Sequence, residues 1–215
     1  MHEVSSPEYW NALYRANDTG WDKGRCAPPI ARLLTEGHVP AGGRVAVIGC
    51  GKGHEALAAA GHGFAVTAID FAPDAIAAVA ANARAAKMPL DTEELDLFAL
   101  PTRYPLAFDA IIEHTCLCAI DPDRRTEYVD AVAAALRPGG LLMGLFYAHN
   151  KPAGPPFAIT EAEARTRFSA RFAFDRLRIA PDSFDHRQGF ELEFVARCVA
   201  HAKPADIGTT GSIPP

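Results

Sequence analysis

Three glycines spaced two residues apart, Gly49, Gly51 and Gly53, follow the apolar run Val45-Ala46-Val47-Ile48. A carboxylate, Asp70, closes a second apolar run, Val66-Thr67-Ala68-Ile69, 21 positions after Gly49. Glycine takes positive φ at no steric cost and lets a ligand lie against the backbone, and the helix start at His54 presents unpaired N–H groups to an anion. An aspartate at this distance can accept hydrogen bonds from both hydroxyls of a ribose. The pattern therefore predicts a nucleoside site on a strand–turn–helix–strand unit. A dinucleotide fingerprint needs a third small residue where the helix packs on the sheet, and that position holds His54. NAD is thus disfavoured, and the spacing fits a single nucleoside.

The elements that must position these residues follow from periodicity and breakers. Ser5-Ser6-Pro7-Glu8 reads as a helix start, with a hydroxyl cap, proline in the first turn and an early acid. That helix carries Trp10 and Tyr14 on one face at i, i+4, and Asn17-Asp18-Thr19-Gly20 ends it. Pro28-Pro29 opens a second short helix through Leu33 and Leu34, and Val39 to Gly43 turns into the first strand, which begins at Arg44. Helices over 54–61, 73–87 and 123–136 then alternate with strands over 65–70, 91–95, 108–113 and 140–147, which predicts a parallel sheet with helices on both faces. The last segments differ. Phe172 and Phe174, then Phe190, Leu192, Phe194 and Ala196, recur with a period of two, as in an antiparallel pair closing the sheet. The expected organisation is a helical arm over residues 1–43, a folded domain over 44–200 and a disordered tail over 201–215.

Composition excludes several classes. With 215 residues, 49% hydrophobic and 22% charged, the chain suits one α/β domain with a full core. Twenty-one Lys plus Arg against 26 Asp plus Glu leave a net charge of −5 and no basic run, so nucleic acid is not an expected partner. No membrane-length apolar run and no basic-then-apolar leader is present, and the expected location is the cytoplasm. Five scattered cysteines, Cys26, Cys50, Cys116, Cys118 and Cys198, lack C-x-x-C spacing and read as reduced thiols, not as a disulfide framework or a metal site. Cys116 and Cys118, read as residues of one strand in a reduced chain, are expected to pack as small core hydrophobes and not to hold a metal ion.

Longer motifs carry a resemblance. The glycine turn resembles motif I of the class I S-adenosylmethionine methyltransferases. The segment Phe108 to Arg125, the later Leu136-Arg137-Pro138-Gly139-Gly140, the loop Gly154-Pro155-Pro156-Phe157, and Trp10, Tyr14 and Trp21-Asp22-Lys23-Gly24-Arg25 in the arm are similar to the thiopurine S-methyltransferase superfamily. The arm is most similar to its halide and thiol methyltransferase branch. The resemblance covers residues 10–198 and implies a Rossmann-like class I methyltransferase fold: a seven-stranded, mostly parallel sheet, a C-terminal antiparallel pair and an N-terminal helical lid.

It also implies site roles. S-adenosyl-L-methionine would be bound by Trp10, Tyr14, Trp21, Gly49, Gly51, Gly53, Asp70, Phe71, Asp96, Leu97, Phe98, Glu113 and His114. Asp96 would accept the exocyclic amine of adenine, Phe98 would wall the base, and the arm aromatics suit a sulfonium because the ring quadrupole attracts a cation. The acceptor would meet Trp21, Arg25, His114, Tyr147, Pro156 and Phe157. Glu113-His114 departs from the family, which places aspartate and then arginine or tyrosine there. The expected partner is a small-molecule acceptor and the expected assembly a monomer or weak homodimer.

The fitting reaction is in-line displacement of a methyl group, in which positioning supplies much of the rate and no acid or base is obligatory. His114 and Arg125 are the catalytic candidates, and Arg25, Arg125 or Lys52 could raise the thiolate fraction of an acceptor. Structural roles stand beside these: a surface salt bridge for Arg125, a satisfied histidine at a strand end, packing for the aromatics. Three readings stay open: methylation of a thiol, halide or selenium compound, N- or O-methylation of a heteroaromatic metabolite, and binding of the cofactor without turnover.

Overall fold

The computed structural model describes residues 3–199, and the tail expected at 201–215 lies outside the described residues. Its centre is a seven-stranded sheet made of β1 (Arg44–Ile48), β2 (Ala65–Asp70), β3 (Asp91–Glu94), β4 (Phe108–His114), β5 (Leu136–Tyr147), β6 (Phe172–Ile179) and β7 (Glu191–Cys198). The order is β3-β2-β1-β4-β5-β7-β6. Strands β1 to β5 pair in parallel, and β7 runs antiparallel to both β5 and β6. Six strands therefore share one direction and β7 opposes it. The connection from β6 to β7 consequently falls at the carboxyl edge of the sheet, beside the loops that follow β1, β2 and β4.

Among the described residues seven α-helices flank the sheet: α1 (Pro7–Arg15), α2 (Pro28–Thr35), α3 (His54–Gly61), α4 (Pro73–Ala86), α5 (Leu100–Arg103), α6 (Arg125–Ala135) and α7 (Glu161–Phe168). Alternation along β1 divides two cores. Ala46 and Ile48 pack toward Tyr128 and Val132 of α6 and Phe168 of α7, whereas Val45 and Val47 pack toward Ile30 of α2, Ala56 of α3 and Val79 of α4. Burial on both faces explains why the central strands β1 and β4 are mostly apolar, whereas the edge strand β3 (Asp91–Glu94) is polar and at most half-buried.

Several boundaries differ from the sequence reading. Strand β5 starts at Leu136, paired with Phe108, and the register then jumps to Ala110 opposite Leu141. The Arg137–Gly140 segment, which reads as a break, is an irregularity inside the strand. Cys116 and Cys118 are not in a strand: β4 ends at His114, Thr115 takes φ 63°, and Leu117–Ala119 form a single 3-10 turn. Helix α7 is absent from the sequence reading because its polar face dominates. Only Ala164 and Phe168 are buried, and Thr160 caps it by accepting from the Glu163 N–H. On β7, Glu191 and Glu193 are fully buried. The period-two pattern holds, but the acids face partners: Arg187 for Glu191, and Arg32 with Arg176 for Glu193.

The arm is tied to the sheet by polar contacts. Asn11 Oδ1 accepts from Asp74 N–H at 3.0 Å, capping α4 where Ala72 has no side-chain oxygen. Arg15 Nε donates to Asp74 at 2.8 Å, and Asp22 accepts from Lys52 Nζ at 2.7 Å and lies 2.8 Å from His54 Nε2. Among the described residues no helix is long and apolar enough to cross a membrane.

Candidate active site

Strand order reverses between β1 and β4, where an open α/β sheet leaves a crevice at its carboxyl edge. Gly49 (φ 55°) and Gly51 (φ 53°) build the turn after β1. A Cβ on Gly49 would stand 2.9 Å from the Cys116 side chain, so glycine lets the turns after β1 and β4 touch. One on Gly51 would come within 3.1 Å of Tyr14 Oη, closing the space between turn and arm. One on Gly53 would strike Val79 Cγ2 at 2.2 Å. Gly53 therefore serves the packing of α3 on α4, and it does not line the cavity.

Asp70 ends β2 with both oxygens engaged: Oδ2 accepts from Gly51 N–H and Oδ1 from Ala72 N–H, each at 3.0 Å. Burial pushes its carboxyl above the usual range while these N–H groups pull it down. The Phe71 N–H acts on the same carboxylate, and Asp70 lines the cavity, where a carboxylate can accept from the hydroxyls of a vicinal diol. Beyond β3, Asp96 Oδ1 accepts from Phe98 N–H at 3.0 Å and starts the turn Leu97–Ala99. The Arg124 guanidinium lies 3.4 Å over the Phe98 ring and holds Glu127 with two 2.9 Å bonds.

The cavity, about 440 Å³, continues to the other half of the sheet and falls within the range of small-molecule sites. There Tyr147 at the end of β5, Pro155 and Pro156, Arg187 before β7, and Trp21 and Lys23 of the arm form its wall. β2 and β5 are three strand spacings apart, about 14 Å, so the two ends are separate subsites. Trp10 and Trp21 meet edge to face at 5.5 Å, and Tyr14 and Trp21 at 5.8 Å, roofing the span between them.

Behind the second end lies a buried charged chain. His114 Nδ1 is 2.9 Å from Glu55 Oε1, and its Nε2 is 3.6 Å from Glu191 Oε1. Burial alone lowers the His114 pKa, but Glu55 and Glu191 outweigh it and raise the value to about 9. Neighbouring Glu113 faces the opposite way, accepting from Cys116 N–H, Leu117 N–H and Tyr128 Oη at 2.8–3.2 Å, with burial pushing it up to about 7.

The structure gathers Trp10, Tyr14, Trp21, Gly49, Gly51, Asp70, Phe71, Asp96, Leu97, Phe98, Tyr147 and Pro156 around one cavity. Other candidates stand apart from it. Glu113 organises the turn after β4, and His114 lies behind the wall. Arg25 covers the Phe184 ring at 5.1 Å, Phe157 donates its N–H to Cys118 O at 2.6 Å, and Lys52 is held by Asp22. Arg125 is buried, paired with Glu163 at 2.9 Å and donating to the carbonyls of Phe157 and Ala158 at 3.1 Å. It braces the loop after β5 and touches no part of the cavity. The cations at the second end of the cavity are instead Lys23 and Arg187. Nothing local in the sequence marks Arg187, but an antiparallel last strand requires its preceding loop to reach the carboxyl edge, and that topology was the available signal.

A glycine turn and a strand-end carboxylate at the switch point of a sheet with a reversed last strand define the class I S-adenosylmethionine methyltransferase fold. Two solved structures share it. One, solved for the conversion of a disulfide bond into a thioacetal group during echinomycin biosynthesis, superposes with TM-score 0.77 at 22% identity, over 92% of this chain and 94% of the other. The other is the 1,6-didemethyltoxoflavin-N1-methyltransferase of Burkholderia thailandensis with bound S-adenosylhomocysteine, with TM-score 0.75 at 20% identity, over 92% and 88%. The sequence profile described as thiopurine S-methyltransferase matches residues 5–202, and the chain belongs to that family. It is accordingly an S-adenosylmethionine-dependent methyltransferase. Similar proteins include thiocyanate methyltransferase 1 of Arabidopsis thaliana, 30% identical over 74% of this chain and 70% of that protein, and the thiopurine S-methyltransferase of Vibrio cholerae, 28% identical over 77% and 82%.

Proposed function

We propose that this enzyme methylates a small, soft sulfur nucleophile, a thiol or a thiocyanate-like anion, with halide and selenium compounds in the same chemical class. The observation that carries this reading is the pair of cations, Lys23 and Arg187, at the end of the cavity opposite Asp70. A free thiol has a pKa of about 8.5, and a cation beside it raises the thiolate fraction. Glu191 neutralises much of Arg187's charge, so the subsite attracts an anion without holding it irreversibly. The residues fit S-adenosylmethionine: the Asp70 carboxylate lines the cavity, and glycine at position 51 leaves the cradle open beneath Tyr14. When bound, the cofactor supplies an electrophilic methyl group on a sulfonium. Asp70 and Asp96 hold the nucleoside, the Trp10–Trp21–Tyr14 roof excludes water, and Tyr147 and Pro156 limit the acceptor to an approach along the cavity axis. No side chain need remove a proton from an acceptor that arrives as an anion.

Residues 1–43 act in this reading as a lid, with the contacts of Asn11 and Asp22 as its latches. We assign the protein to the cytoplasm on the strength of five unpaired cysteines, four of them buried. A monomer or weak homodimer agrees with exposed large apolar residues that are scattered singly, at Met88, Leu106, Ile179, Phe190 and Val199. A second reading, methylation of nitrogen or oxygen on a heteroaromatic metabolite, draws on the aromatic walls Trp21 and Tyr147. S-adenosylhomocysteine release, measured with hydrosulfide, small thiols, thiocyanate, iodide and heteroaromatic acceptors, separates the two. Turnover confined to sulfur and halide acceptors is expected. Turnover of heteroaromatics alone overturns the first reading, and none with any acceptor points to a binding protein.

A further inference from the structure

The chain behind the acceptor end crosses four elements. Glu55 on α3 accepts from Ala27 N–H at 3.2 Å and faces His114 Nδ1, while His114 Nε2 lies 3.4 Å from Arg187 Nη1. Arg187 Nη1 also donates to Glu191 Oε1 at 2.9 Å, its Nη2 reaches Trp21 O at 3.4 Å, and its guanidinium carbon sits 4.9 Å over the Tyr147 ring. One carboxylate oxygen of Glu191 thus lies between the Arg187 guanidinium, at 2.9 Å, and the His114 ring, at 3.6 Å. As an imidazolium, His114 donates from both nitrogens, draws on Glu191 Oε1 and has no lone pair for Arg187. As a neutral ring that keeps its Nδ1 proton for Glu55, it offers Nε2 to Arg187 and pulls the guanidinium inward.

We propose that His114 in its charged form is a positioning residue for methyl transfer, keeping Arg187 turned toward the acceptor by sharing Glu191 with it. The inference rests on the acceptor end assigned above. Two carboxylates converging on one buried ring are unfavourable unless the ring is a cation. The charged groups that face it are Glu55 from α3, Glu191 from β7, Arg187 from the connection before β7 and Glu113 beside it in β4, with Lys23 of the arm acting on Arg187 and Glu191. A value raised to about 9 keeps the ring charged at neutral pH, and the charge is lost as pH rises through that value.

The test compares the native enzyme with His114→Gln and Glu55→Gln across pH 6–10. It follows the Arg187 side-chain N–H resonances, cofactor affinity, and kcat/KM for an acceptor that does not titrate in this range, iodide or thiocyanate. The native enzyme should lose about tenfold in kcat/KM through pH 9 as the Arg187 resonances broaden, and Glu55→Gln should move both changes to lower pH by about one unit. His114→Gln should be about tenfold slower at pH 7, flat with pH, and within threefold of native in cofactor affinity. Native and Glu55→Gln profiles that coincide overturn the inference, as does a His114→Gln enzyme that loses cofactor affinity and acceptor turnover in proportion. If no acceptor is turned over, the proposed function falls, while the Arg187 resonances still decide whether His114 positions it.

Discussion

The two ends of the cavity are built by different means. The nucleoside end uses main chain and one carboxylate from a single continuous unit: Gly49, Gly51 and Asp70 lie within 22 residues, and the Asp70 oxygens are fixed by the backbone N–H groups of Gly51 and Ala72. The acceptor end uses side chains from across the sequence, from Trp21 and Lys23 through Glu55, His114 and Tyr147 to Arg187 and Glu191. Backbone geometry survives most substitutions, whereas a charged side-chain network fails when one member changes. Cofactor recognition should therefore be robust and modular, and acceptor recognition cooperative.

The sharpest way to separate the ends is Asp70→Ala. It removes the carboxylate that we assign to the ribose and should weaken S-adenosylmethionine binding about tenfold to a hundredfold by calorimetry, equivalent to about 1–3 kcal/mol. The acceptor KM at saturating cofactor should stay near native. An equal loss at both ends would dissolve the distinction. Arg187→Gln is the counterpart, expected to lower kcat/KM for a thiolate acceptor about tenfold while leaving cofactor affinity within threefold. Asp22→Asn should have the smallest effect, about twofold to threefold on both parameters, because it loosens only a half-buried latch to Lys52 and His54 that lies outside both ends of the cavity. Hydrogen exchange of residues 8–25 should rise in that variant, and unchanged protection would show that the latch does not hold the arm.

The same contrast governs what could be read from the sequence. The Asp70 end of the cavity was legible as structure because its determinants are local: β-branched runs, glycines at fixed spacing and an acid at a strand end each have a short-range cause. The parallel sheet followed from the alternation of strand and helix patterns, and the antiparallel pair from Phe172, Phe174, Leu192 and Phe194. The acceptor end was not legible in detail. Arg25, Lys52 and Arg125 are cations of the right type in the right motifs, but Phe184, Asp22 and Glu163 engage them. Which arginine faces a cavity depends on tertiary partners far away in sequence, and Arg187 is identified only once β7 is known to run backwards. Nothing local marks Glu191 and Glu193 as buried, since their arginine partners come from α2, β6 and the loop before β7.

Reversal of the last strand has a further consequence, for how such an enzyme can change. The segment 180–190 enters and leaves the sheet at its far margin, separated from the glycine turn by β4, β5 and β7. Insertions, deletions or exchanges there can alter the charge and depth of the pocket without straining the turn that holds the nucleoside. A lineage carrying this architecture can explore new acceptors through one hairpin connection, and a designer grafting that connection between relatives would transfer selectivity as a cassette, provided the residue at position 114 is carried with it.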